Sequence, residues 1–129
     1  MILGIGCDLC QISRMADLLR DEAFLNRYFA PAEKEYILSR GALSAASMAG
    51  CFAGKEAFAK ALGSGFDGVR PEDIAVLRRE GGAPCLNLLG SAKAAADQAG
   101  VTACHISISH EGGFALAFVV LEGEACATS

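Results

Sequence analysis

The alternation of apolar and polar positions divides the chain into a strand, a run of helices, a hairpin, a helix and a second hairpin. Residues 2–9, ILGIGCDL, form a short apolar stretch broken by glycines and predict a buried strand, after which Ser13 is placed to cap a short amphipathic helix through residue 19. FLNRYFA leads into Pro31 at a first helical position, and PAEKEYILSRG reads as a helix from that proline to Gly41. From residue 42 to 62 the alanine-rich composition predicts one long helix, ended by Gly63. Gly50 and Gly54 inside it each cost about 1 kcal/mol relative to alanine, and such glycines mark the close approach of another backbone or a ligand.

IAVLRR and PCLNLL flank EGGA as a hairpin, and SAKAAADQA reads as a capped helix stopping at Gly100. ACHISISH then alternates strictly, EGG turns, and FALAFVVLE returns as a nearly continuous apolar strand. The order predicts an α+β fold, a mainly antiparallel sheet packed against a long central helix. At 129 residues, with no repeat or linker, it predicts a single domain over 1–129.

Composition changes this picture in two ways. Hydrophobic residues make up 53% of the chain, more apolar surface than a monomer of this size readily hides, which predicts oligomerisation. No run approaches the roughly 20 apolar residues of a membrane helix, and the start lacks a basic signal region, so the expectation is a soluble, cytoplasmic protein. The net charge of -4 argues against a nucleic-acid surface, so any phosphate chemistry must use local positive charge. Six cysteines include the CxxC pair Cys7 and Cys10, but no second pair follows at zinc-site spacing, and free, mostly buried thiols are expected.

The candidate chemistry lies in three places. Asp8 stands in an apolar strand, where a carboxylate requires a cation, donors or a metal, unless it ends the strand in an Asx-turn. Glu56 and Lys60, four apart in FAGKEAFAKALG, make a surface helix pair or, on the stripe that starts at Phe52, line a cleft. Two such carboxylates suit Mg²⁺ completed by phosphate and water, and Lys60 one turn on suits a phosphate oxygen, so the three together suggest phosphoryl-type transfer. In HISISH, alternation places His105, Ser107 and Ser109 on one face, either a structural set or a phosphate-binding one.

Three segments in order, GIGCDLCQISR at 4–14, FAGKEAFAKALGSG at 52–65 and HISISHEGGFALAFVVLE at 105–122, together resemble the holo-acyl-carrier-protein synthases, the small bacterial 4'-phosphopantetheinyl transferases. The resemblance implies the 4'-phosphopantetheinyl transferase fold and transfer of phosphopantetheine from coenzyme A to a serine of an apo acyl carrier protein, with release of 3',5'-ADP. It implies Asp8 and Glu56 as Mg²⁺ ligands, with Lys60 facing the pyrophosphate. Gly63, His105 and Ser107 join Lys60 at the coenzyme A site, and Arg14, extended by Arg20, grips the acidic carrier. It also implies a homotrimer with each site shared between neighbouring subunits. The sequence departs from the family at Cys51, where many members carry a basic residue, at Gly54, where alanine is common, and at Ala83, often Lys or Arg in relatives. Two other readings are an idle module binding coenzyme A or a carrier protein on the same fold, and a redox or zinc protein built on Cys7 and Cys10.

Overall fold

The first strand runs beyond its apolar stretch, from Ile2 to Gln11 (β1), in a computed structural model that describes residues 1–124. Three short helices follow, α1 (Ile12–Leu18), α2 (Glu22–Tyr28) and α3 (Pro31–Ser39), then a 3-10 turn and the long helix α4 (Ser44–Leu62). A second 3-10 turn (Pro71–Asp73) leads into the hairpin β2 (Ile74–Arg78) and β3 (Pro84–Leu88). Helix α5 (Gly90–Gln98) and the hairpin β4 (Val101–Glu111) and β5 (Phe114–Gly123) complete the described chain. The architecture is α+β, but the strands form two antiparallel sheets rather than one, β1-β5-β4 and β2-β3.

Helix α4 lies against one face of the larger sheet, and glycine decides how closely. A Cβ on Gly4 would fall 1.9 Å from the Ala61 carbonyl oxygen, and one on Gly6 would fall 2.1 Å from that of Ala57. Only a residue without a side chain lets the two backbones meet there. The glycines inside α4 are closely approached too, but by side chains rather than by the backbone or ligand expected: a Cβ on Gly50 would press on Ile108 and His110, and one on Gly54 on Ile106 and Val76, at 3.0–3.3 Å. Gly63 ends α4 in the left-handed region, φ +85°.

The pleat then sorts each strand into two faces. On β5, Ala115, Ala117, Val119 and Leu121 are buried towards α4, whereas Phe114, Leu116 and Phe118 point outwards and are 40–43% exposed. Ile5 and Leu9 of β1 share that outer face at 60% and 62% exposure. The sheet therefore has an apolar side with no cover among the described residues.

Two predicted caps are not the observed ones. Ser13 lies inside α1, which begins at Ile12 with Gln11 at the cap position and no side-chain bond. Ser91 lies inside the first turn of α5. Its N–H and hydroxyl both donate to Asp73, at 2.9 and 2.7 Å, so the helix start is fastened to the 3-10 turn before β2 rather than capped locally. The local sequence satisfied the capping pattern, but the partner that holds this end comes from another element.

Candidate active site

Parity along β1 puts Asp8 on the same face as Gly4 and Gly6, so the close approach of the strand carries its carboxylate to the flank of α4. Asp8 sits within the strand, opposite Ala117 of β5, and does not form the strand-ending turn that was the alternative. Its Oδ1 accepts a 3.0 Å bond from Lys60 Nζ, which donates another 3.0 Å bond to the Cys7 carbonyl. The Asp8 side chain is 19% exposed and that of Lys60 55%, so the ion pair lies at the rim of the sheet. The bond that Lys60 donates to Asp8, and the charge of Asp8, hold the Lys60 ammonium above its ordinary pKa. Lys60 thus takes its partner across elements, not one turn back at Glu56 as the helix-pair reading had it.

Glu56 is half-buried one turn before Lys60, and its Oε1 accepts a 3.3 Å bond from the Tyr28 hydroxyl. Burial, followed by the negative charge of Asp8, pushes the Glu56 carboxyl above the usual carboxylate range. Two carboxylates that repel each other are groups of the kind that bind a cation. Among the described residues no third His, Cys, Asp or Glu joins them. A cation held there would complete its shell with phosphate oxygens and water, which fits Mg²⁺, usually bound by one or two carboxylates with substrate phosphates.

One residue along from Glu56, Lys55 points the other way. It is fully buried, and its Nζ bonds Glu33 Oε1 at 2.5 Å, the Ile74 carbonyl at 2.6 Å and the Pro71 carbonyl at 3.0 Å. Glu33 in turn accepts the backbone N–H of Ala30 and of Val76, both at 2.9 Å. Burial drives Glu33 up and Lys55 down, against their mutual attraction. This cluster fastens the start of α3 and the approach to β2 onto α4 behind Glu56. The sequence signal for it was a lysine on the apolar side of a helix, which the reading of the motif passed over.

The predicted coenzyme A residues do not all converge within one chain. His105 and Ser107 lie on the outer, apolar face of the sheet, on the opposite side from Asp8, and His105 Nε2 pairs with Glu122 Oε1 at 2.6 Å. His110, five residues on and of opposite parity, is the histidine on the α4 side, its Nε2 donating to the Ala46 carbonyl at 2.9 Å. Gly63 is exposed just beyond Lys60 at the end of α4. A cleft of about 360 Å³ at the edge of β1, lined by Ile5, Gly6, Cys7, Lys60 and Phe118, is where the two sides of the sheet meet.

Arg14 of α1 is exposed, with its guanidinium 5.0 Å from the centre of the Phe52 ring, and Arg20 is exposed just beyond the same helix. The thiol-based reading does not survive the geometry. Cys7 is exposed and Cys10 buried on opposite faces of β1, and all the described cysteines are free. Cys51 is fully buried with its thiol 3.8 Å from the Val76 carbonyl, and burial pushes its pKa up to about 12. It is therefore a packing residue. The sixth cysteine, Cys126, lies outside the described residues.

Residues 4–119 match the sequence profile of the 4'-phosphopantetheinyl transferase superfamily. The chain belongs to that superfamily. Within it, a holo-[acyl-carrier-protein] synthase of Treponema denticola is 44% identical over 123 residues, covering 95% of this chain and 100% of that one. The crystal structure of the holo-[acyl-carrier-protein] synthase of Neisseria meningitidis superposes with a TM-score of 0.85 at 33% identity, over 95% of this chain and 99% of that one. That of Helicobacter pylori, solved in complex with coenzyme A, superposes at 0.79 and 32%, over 92% and 99%. The expected phosphopantetheinyl transferase fold is thus the observed one.

Proposed function

We propose that this chain works as a single phosphopantetheinyl transferase domain, a holo-acyl-carrier-protein synthase. It moves the 4'-phosphopantetheine arm of coenzyme A to a serine of an apo acyl carrier protein and releases 3',5'-ADP. The observation that carries the reading is the meeting of Asp8 from β1 with Glu56 and Lys60 from α4, on a chain of this superfamily. Asp8 and Glu56 are the groups that would hold Mg²⁺. Its contribution when bound is to offset the charge of the pyrophosphate oxygens. Lys60, kept protonated by its setting, is free at the rim to exchange Asp8 for an oxygen of the departing phosphate as negative charge grows there. The carrier serine attacks the β-phosphorus in line, the bond to the bridging oxygen breaks so that 3',5'-ADP leaves with that oxygen, and the serine proton passes to a water or to the carboxylate of Asp8 or Glu56.

The second half of the reading concerns assembly. The exposed apolar face bearing Ile5, Leu9, Leu116 and Phe118 suits contact between copies of this chain, and His105 and Ser107 stand on it. A homotrimer built through that face, with the cleft at the edge of β1 closed by a neighbour, would bring one copy's His105 and Ser107 towards another's Asp8 and Lys60. Gly63, next to Lys60, then borders the coenzyme A site. Arg14 and Arg20 give a chain of net charge -4 a local basic edge for an acidic carrier in the cytoplasm. No helix of the described residues is long and apolar enough to cross a membrane.

The test is mass spectrometry of an apo acyl carrier protein incubated with this protein and coenzyme A, with Mg²⁺ or with EDTA. Addition of one phosphopantetheine with Mg²⁺ alone is the expected result. Binding of coenzyme A without transfer to any of several carriers would replace the transferase with the idle module.

A further inference from the structure

Glu56 projects from the half-buried side of α4, and its side chain has rotatable bonds enough to reach several partners, so something must choose its orientation. The residue that touches it is Tyr28, the last residue of α2, whose hydroxyl donates to Oε1 at 3.3 Å. Tyr28 is itself held on both faces. Its ring stacks on Phe24 at 5.0 Å and on Phe52 at 5.1 Å between centroids, each with planes 19° apart. Phe24 is one turn earlier on α2, whose start is capped by Asp21 accepting the Phe24 N–H at 3.0 Å, while Phe52 is one turn before Glu56 on α4. The phenol is thus fixed to the same helix as the carboxylate it bonds. The second carboxylate oxygen, Oε2, has no hydrogen bond from the described residues.

We propose that Tyr28 is a positioning residue for Glu56, its hydroxyl holding Oε1 in the aromatic stack of Phe24, Tyr28 and Phe52 so that Oε2 is presented to the divalent cation. The inference rests on the proposed role of Glu56 as a cation ligand. Partners that orient a metal-binding side chain typically change affinity tenfold or more when removed.

The experiment measures Mn²⁺ binding by electron paramagnetic resonance, with coenzyme A present, for the wild type and for Tyr28→Phe, Phe24→Leu and Glu56→Gln. Tyr28→Phe keeps both stacking contacts and loses only the hydroxyl. The expected result is an Mn²⁺ Kd about tenfold higher, with an unfolding midpoint within about 4 °C of wild type. Phe24→Leu, which removes the outer ring and keeps the hydroxyl, should lower the midpoint and leave the Kd within twofold. A Kd for Tyr28→Phe within twofold of wild type overturns the proposal, and so does an equal rise in Phe24→Leu, which would assign the effect to packing. If Glu56→Gln binds Mn²⁺ as the wild type does, the cation-ligand reading of Glu56 fails and takes this inference with it. That outcome is distinct from the first two, in both of which Glu56→Gln weakens binding, with Tyr28→Phe unchanged in the first and weakened equally with Phe24→Leu in the second.

Discussion

Replacing Lys55 by methionine removes the cation from a cluster that water does not reach, leaving Glu33 buried without its counter-charge and the Ile74 carbonyl without a donor. Breaking one partner of a buried pair costs about 3–5 kcal/mol. That is a large share of the roughly 5–15 kcal/mol that holds a domain of this size together. The informative comparison is the double variant Glu33→Leu/Lys55→Met, because many buried ion pairs can be exchanged for apolar side chains with a gain of about 1–4 kcal/mol. Here both members also serve the backbone. The exchange would orphan the buried N–H groups of Ala30 and Val76 and the buried carbonyl of Ile74, at about 1–3 kcal/mol each. The orphaned groups outweigh the relief of the charges, and the double variant should remain about 3 kcal/mol less stable than wild type. Urea titrations followed by far-ultraviolet circular dichroism measure both variants against wild type. A double variant as stable as wild type would refute the argument that the backbone bonds, and not the ion pair, make the cluster indispensable.

Three further outcomes follow from the same contacts. Gly6→Ala should separate β1 from α4, because its Cβ would strike the Ala57 carbonyl; the expected loss is about 3 kcal/mol, with a larger proportional loss of transferase activity as Asp8 leaves Glu56 and Lys60, both read from urea midpoints and turnover. Asp73→Ala should remove about 1 kcal/mol at neutral pH. Bonds from Ser91 hold the Asp73 carboxyl below its ordinary value of 3.8, so its stabilisation is complete above that pH and disappears as pH falls through the lower folded value; the gap between wild type and variant should close only on the acid side, and a constant gap down to pH 2 would contradict it. Phe118→Asp, on the outer face of the sheet, should shift the protein to monomer in light scattering and depress activity while leaving circular dichroism unchanged; an unaltered mass would remove that face from the assembly.

Much of the fold and part of the site were legible along the chain, and the boundary between the two has a physical cause. Repetition every two residues marked the final hairpin, and Pro31 and Gly63 marked helix limits, because these are properties of a residue and its near neighbours. Spacing also placed Glu56 and Lys60 on one helical face and, through parity alone, His105, Ser107 and Ser109 on one face of β4. Partners were not legible. Lys60 pairs with Asp8, Ser91 with Asp73, and Glu56 with Tyr28, each across elements, and no local pattern distinguishes these from the neighbours four residues away.

Sequence by itself determined the element order, the α+β class and the residue types able to bind a cation and a phosphate. Tertiary structure alone decided which side of each element faces inwards. Lys55 and Glu56 are adjacent letters separated by about 100° around the helix axis, and packing alone buried one against Glu33 and left the other half-buried beside Tyr28. The approach of β1 to α4 at Gly4 and Gly6 likewise turned an aspartate in a strand and a lysine on a helix into an ion pair 52 residues apart. Local propensity acts within a turn or a pleat, whereas these contacts exist only once two backbones have come together.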